Sequence, residues 1–152
     1  MQDVDYQSPT NRRLIGIIVF FFLVTFAVSR LFVYLILDKL LPNFFLEVRG
    51  VHIHHFTYGV IILAAVGFYL IIKRPDLYTR TFRWCTSIYG IGLGLTFDEF
   101  GMWVRLRDGY WVRQSYDAIV IITLLLLNIA YYAAVRIWLK EILQVIRNFL
   151  RL

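Results

Sequence analysis

The chain has 152 residues, is 60% hydrophobic and has a mean hydropathy of +0.67, an apolar share above that of an ordinary soluble domain. Its formal charge of +6 is spread through short loops and helix ends. No basic face of the kind a nucleic-acid-binding fold presents is formed, so nucleic acid is not an expected partner. The single cysteine, Cys85, excludes an internal disulfide and a cysteine-based metal cage.

A spanning helix needs roughly 20 mostly apolar residues. Four stretches approach that length: 14–37, 51–72, 84–101 and 118–139. The expected fold is all-α: one integral membrane domain over 1–152, a four-transmembrane-helix bundle with a C-terminal amphipathic interfacial helix over 140–152. Residues 1–11 form a polar lead, and Ser8-Pro9-Thr10-Asn11 is a helix-start signal. Arg12 and Arg13 before an apolar run resemble a signal peptide, but the run exceeds the ~7–15 residues of a signal core and no small-residue cleavage site follows. It reads as a mature helix.

Pro42-Asn43 marks a turn after the first span, and Phe44 to Arg49 suits the membrane interface. Gly50 precedes the stretch VHIHHFTYG, whose histidines are expected in the first turn of helix two. Lys73-Arg74-Pro75-Asp76 ends that helix, and residues 78–84 read as a basic, aromatic linker. Helix three carries Gly90, Gly92 and Gly94; the pair four apart lets a neighbouring backbone approach closely. It ends in FDEFG, Phe97 to Gly101. The next loop mixes Arg105, Arg107 and Arg113 with Trp103, Tyr110 and Trp111, a headgroup-binding composition, and Asp108-Gly109 is a tight-turn signal. In the tail, Ile142, Leu143, Val145, Ile146, Phe149 and Leu150 oppose Lys140, Glu141, Gln144, Arg147, Asn148 and Arg151.

Basic residues orient the chain. With four spans, the N-terminus, second loop and tail share one side and hold ten Lys and Arg residues; the first and third loops hold five. Short loops rich in Lys and Arg stay inside, so both termini are expected in the cytoplasm of an inner (plasma) membrane protein.

That topology brings ionisable residues to one depth. His52, His54 and His55 sit at the outer start of helix two. Asp98 lies fourteen residues beyond Trp84 on a helix rising from inside, roughly 21 Å at ~1.5 Å per residue. Arg30 lies sixteen residues beyond Leu14, roughly 24 Å along, and an arginine within a span calls for an acid or a wet cavity. Asp98, Glu99 and Asp117 are its candidate partners. On a helix, His52 and His55 share a face at i and i+3, with His54 turned about 100° away. With Asp98 or Glu99 they form a nitrogen and oxygen set suited to zinc, iron(II) or manganese(II), the other acid acting as general base or orienting a histidine. Tyr58, a turn further on, is a candidate donor to His54 or His55. A haem or other tetrapyrrole on one histidine is a further cofactor candidate. The competing readings are an interfacial histidine cluster and a structural ion pair of the acids with Arg30 or Arg105.

The motifs HIHHFTYG, GIGLGLTFDEFGMW and DGYW followed by SYDAI resemble a group of small uncharacterised bacterial four-helix integral membrane proteins, over about residues 51–121. The resemblance implies that His52, His54, His55, Asp98, Glu99 and Asp117 belong to one site, and it implies no activity. HExxH, GxSxG, Walker and CxxC patterns are absent, leaving zincin and serine hydrolase chemistry unsupported. Three functions are carried forward: a metal-dependent enzyme acting on a lipid-like substrate; an ion or metal channel or carrier; and a non-catalytic subunit of a larger membrane complex. Membrane lipids are the expected surroundings, with a homo-oligomer or larger complex as candidate assembly.

Overall fold

The computed structural model describes residues 9–42, 47–48, 51–105 and 113–150, apart from the side chains at 9, 47–48, 51–52, 133 and 148–150. Its elements in chain order are α1 (Pro9–Leu37), β1 (Glu47–Val48), β2 (Val51–His52), α2 (His55–Lys73), α3 (Arg80–Asp98), α4 (Phe100–Arg105) and α5 (Arg113–Leu150). Among the described residues the regular elements are helical except for the two-residue strands, which pair antiparallel as Glu47 with His52 and Val48 with Val51.

Three segments, Thr10–Leu37, His55–Lys73 and Arg113–Tyr132, are long and apolar enough to cross a membrane. Apolar side chains such as Phe20, Ile61, Phe68, Ile121 and Leu124 are exposed on them, an outer surface suited to hydrocarbon rather than water. The expected third span is not among the three. Its helix, α3, is rich in Gly, Ser and Thr because it packs between α1 and α2. An added Cβ at Gly90 would lie 2.7 Å from the Ile18 carbonyl of α1, and one at Gly94 2.6 Å from Thr25 Cβ. Gly92 faces α2 instead, 3.0 Å from Ile62, and Gly59 of α2 returns the approach, 2.4 Å from Thr96 Oγ1. Aliphatic side chains on α3 would hold its neighbours away. The core continues where Phe22, Leu93 and Ile119 join α1, α3 and α5.

Several boundaries differ from expectation, each for a local reason. α1 begins at Pro9, five residues before 14, since proline fits a first helical turn. α2 begins at His55 rather than Val51, because strand pairing keeps Val51 and His52 extended. α3 begins at Arg80, inside the expected linker, where the Thr79 hydroxyl accepts from the Phe82 N–H at 3.2 Å and caps the helix. It stops at Asp98, not 101, because Glu99 leaves the helical region (φ −102, ψ 14) before α4 restarts the turn. The expected hairpin at Asp108-Gly109 lies outside the described residues. α5 begins at Arg113, five residues before 118, and its helical turns reach past 139, but the backbone leaves the helical region at Tyr131 (φ −122, ψ 19), a kink within the expected span.

Candidate functional site at a four-helix junction

Of the ionisable residues that the sequence places at one depth, Arg30, His54, His55, Asp98 and Glu99 meet. Asp98 and Glu99 are 0% and 2% exposed, values ionisable groups reach only when compensated. Arg30 of α1 compensates Asp98: its Nε lies 2.5 Å from Asp98 Oδ1, and its Nη2 donates to the Asp98 carbonyl, one of the carbonyls left over at the end of α3. The guanidinium lies beside two rings, 5.4 Å from the centroid of Phe26 and 5.1 Å from that of Tyr116 on α5. Those rings meet edge to face at 5.9 Å. Both distances are in cation–π range, and a guanidinium that also donates to a carboxylate and a carbonyl suits arginine better than lysine. Phe26 stands one turn before Arg30, an i, i+4 relation visible in the sequence; Tyr116 is brought in only by the packing of α5.

Glu99 has a different task. The start of α2 has no acidic residue in its first turn, and its N-cap, His54, makes no side-chain capping bond. Glu99 supplies the cap from another element: its Oε2 accepts the Phe56 N–H at 3.0 Å, setting a carboxylate at a helix N-terminus. Its other oxygen, Oε1, accepts from His54 Nδ1 at 3.3 Å and lies 4.0 Å from His55 Nδ1. His55 Nδ1 is also 3.7 Å from Asp98 Oδ2, ion-pair rather than hydrogen-bond range. A carboxylate can only accept, so the His54 proton facing it sits on Nδ1 and further chemistry of that ring runs through Nε2.

The turn carrying the acids is fixed by its own bonds. Met102 and Trp103 N–H groups return to the Glu99 carbonyl at 3.0 and 3.1 Å, and the Gly101 N–H donates to Ser115 Oγ of α5 at 2.9 Å. Phe56, Phe100 and Trp103 cover one side, with Phe56 stacked on Trp103 at 6.2 Å.

The predicted histidine geometry is corrected. His52 and His55 do not share a helix face, because His52 lies in β2 and His54 precedes the helix in extended backbone (φ −73, ψ 150). The two histidines that meet the acids are the adjacent His54 and His55; the side chain of His52 lies outside the described residues. Asp117 is not in the cluster. It is exposed and pairs with Arg113 one turn earlier on α5 at 3.4 Å. Tyr58 is half-buried and makes no hydrogen bond to either histidine among the described residues. Arg105 is exposed at the end of α4, leaving the ion pair to Arg30. Among the described residues no group of three or more His, Cys, Asp and Glu side chains is arranged to hold a metal ion.

Comparison with protein-family models, curated proteins and solved structures finds no match to the chain.

Proposed function

We propose that the chain is a four-span integral membrane protein of an inner (plasma) membrane, with both termini cytoplasmic and its polar site at the extracytoplasmic face. Helix lengths support the fourth span. Arg12 to Arg30, His55 to Lys73, Arg80 to Asp98 and Arg113 to Tyr131 are each eighteen residues apart, about 27 Å of helix, close to the ~30 Å hydrocarbon thickness. Arg30, His55 and Asp98 cluster at one end; at the other, Arg12 lies 5.5 Å over the Tyr131 ring. α3 thus has the reach of its neighbours, and its low hydropathy fits a helix enclosed by them. A cysteine at Arg113, whose side chain is 87% exposed, in a Cys85→Ala background should react in intact cells with an impermeant maleimide. Labelling only after permeabilisation would reverse the orientation.

The site's proposed task is to bind a divalent metal, zinc, iron or manganese, through imidazoles of the histidine run, as the centre of an enzyme acting on a lipid-like substrate. One observation carries this: both described imidazoles turn Nδ1 toward buried carboxylates, the arrangement that fixes a metal-ligating histidine with Nε2 forward. Asp98 and Glu99 then orient ligands instead of ligating. Formal charge agrees, since two carboxylates against one guanidinium leave one negative charge among the described residues for a cation to offset. The metal would act as Lewis acid or activate water. Buried Glu99, held at the helix start, is the group to move a proton beside it.

Elemental analysis of the purified chain tests the reading. About one metal ion per chain is expected, lost in a His54→Ala/His55→Ala variant, with Glu99→Gln weakening affinity about 10–100-fold. A metal-free chain, or metal content unchanged in the histidine variant at unchanged helicity, would refute it.

A further inference from the structure

Past Tyr131 the chain leaves the bundle. Between Tyr132 and Arg147 the described side chains are exposed except for half-buried Val135 and Ile142, so this length of α5 is not packed on the other helices. Its residues are nonetheless sorted by side. Arg136, Lys140, Gln144 and Arg147 recur at three- and four-residue spacing on one arc. Trp138, Leu139, Ile142, Val145 and Ile146 form the opposite arc, and Trp138, Leu139, Val145 and Ile146 are 61%, 47%, 68% and 48% exposed. Ile137 and Leu143 are out of register, falling beside Gln144 and Arg136 on the polar side.

We propose that residues 132–147 lie on a bilayer surface rich in anionic phospholipid, turned onto it at Tyr131 and tied to α1 by Arg12. Three observations choose this occupant. Arg136, Lys140 and Arg147 against Glu141 give the segment two net positive charges, complementary to phosphate headgroups. The Tyr131 kink lies beneath the Arg12 guanidinium, at the end of α1 far from Arg30, so the segment starts at the level where the apolar surface of the bundle gives out. Its apolar arc is broader than the two-position seam of a coiled coil, and the same charges repel a second parallel copy. The Tyr131 turn lets the apolar arc enter the acyl boundary while the cations stay among headgroups. The inference rests on the four-span orientation, which the Arg113→Cys labelling tests separately.

The test uses the full chain with Cys85→Ala, spin-labelled at Ile146→Cys or, for comparison, Gln144→Cys. The protein is reconstituted in phosphatidylcholine vesicles with or without phosphatidylglycerol. In anionic vesicles the label at 146 should collide with oxygen far more than with a water-soluble nickel chelate, and the label at 144 the reverse. Arg136→Glu/Lys140→Glu/Arg147→Glu should abolish most of that contrast. Equal contrast in neutral vesicles would overturn the anionic preference while leaving an amphipathic seat. Chelate access at both positions, or spin–spin coupling between chains at 146, would overturn docking on lipid in favour of a solvated helix or a second copy.

Discussion

Replacing Arg30 with methionine should destabilise the protein by about 3–5 kcal/mol, the usual cost of removing one partner of a buried ion pair. The cost arises at Asp98, whose carboxylate is 0% exposed and among the described residues would be left with His55 at 3.7 Å. The Arg30→Met/Asp98→Asn variant should recover much of the loss, because both charges leave together. Unfolding of the four proteins of this cycle at fixed lipid or detergent composition measures the coupling. Additive single effects would mean that the pair is not the element holding α1 to α3. Arg30→Lys should recover little, since a single ammonium lacks the forked donors with which the guanidinium reaches both the Asp98 carboxylate and its carbonyl.

The second large effect is steric. In Gly94→Ala the new methyl would sit 2.6 Å from Thr25 Cβ and 2.8 Å from the Phe22 carbonyl; in Gly59→Ala it would meet Thr96 Oγ1 at 2.4 Å, the Thr96 nitrogen at 2.6 Å and the Gly92 carbonyl at 2.7 Å. Backbone atoms cannot rotate aside, so the helix pairs must part, for a loss of about 1–3 kcal/mol each. Gly67→Ala is the control. Nothing lies within 4 Å of its added Cβ, and removing a mid-helix glycine should stabilise by up to about 1 kcal/mol. Thermal unfolding of the three variants separates the cases by sign. A stabilised Gly94→Ala protein would mean that α1 and α3 do not pack at the described separation.

Both effects come from residues whose importance was partly legible in the chain. Arg30 within an apolar run demands a partner, and counting 1.5 Å per residue along two helices that run in the same direction brings Asp98 to its level. Gly90 and Gly94 four apart mark a helix face for close approach. These inferences need only helix periodicity, a local property of the sequence. The histidine run misled for the opposite reason. Spacing assigned His52 and His55 to a helical face, but a two-residue strand pair with Glu47 and Val48 keeps the backbone extended until His54, and pairing between strands is not written in the run itself.

The capping of α2 by Glu99 was likewise invisible, because donor and acceptor are more than forty residues apart and neither half of the bond has a local signature. Asp117 was misplaced by the same gap: being near the start of a helix fixes its position along the axis but not the direction its side chain takes, and on α5 that direction is toward Arg113 and solvent. By itself the sequence determined the apolar character of the chain, its helical build and the depth at which its buried charges meet, since composition and rise per residue suffice for those. Only the tertiary structure decided which histidines face the acids, which acid belongs to Arg30 and which caps a helix. Those assignments depend on rotation about each helix axis, and packing sets that rotation.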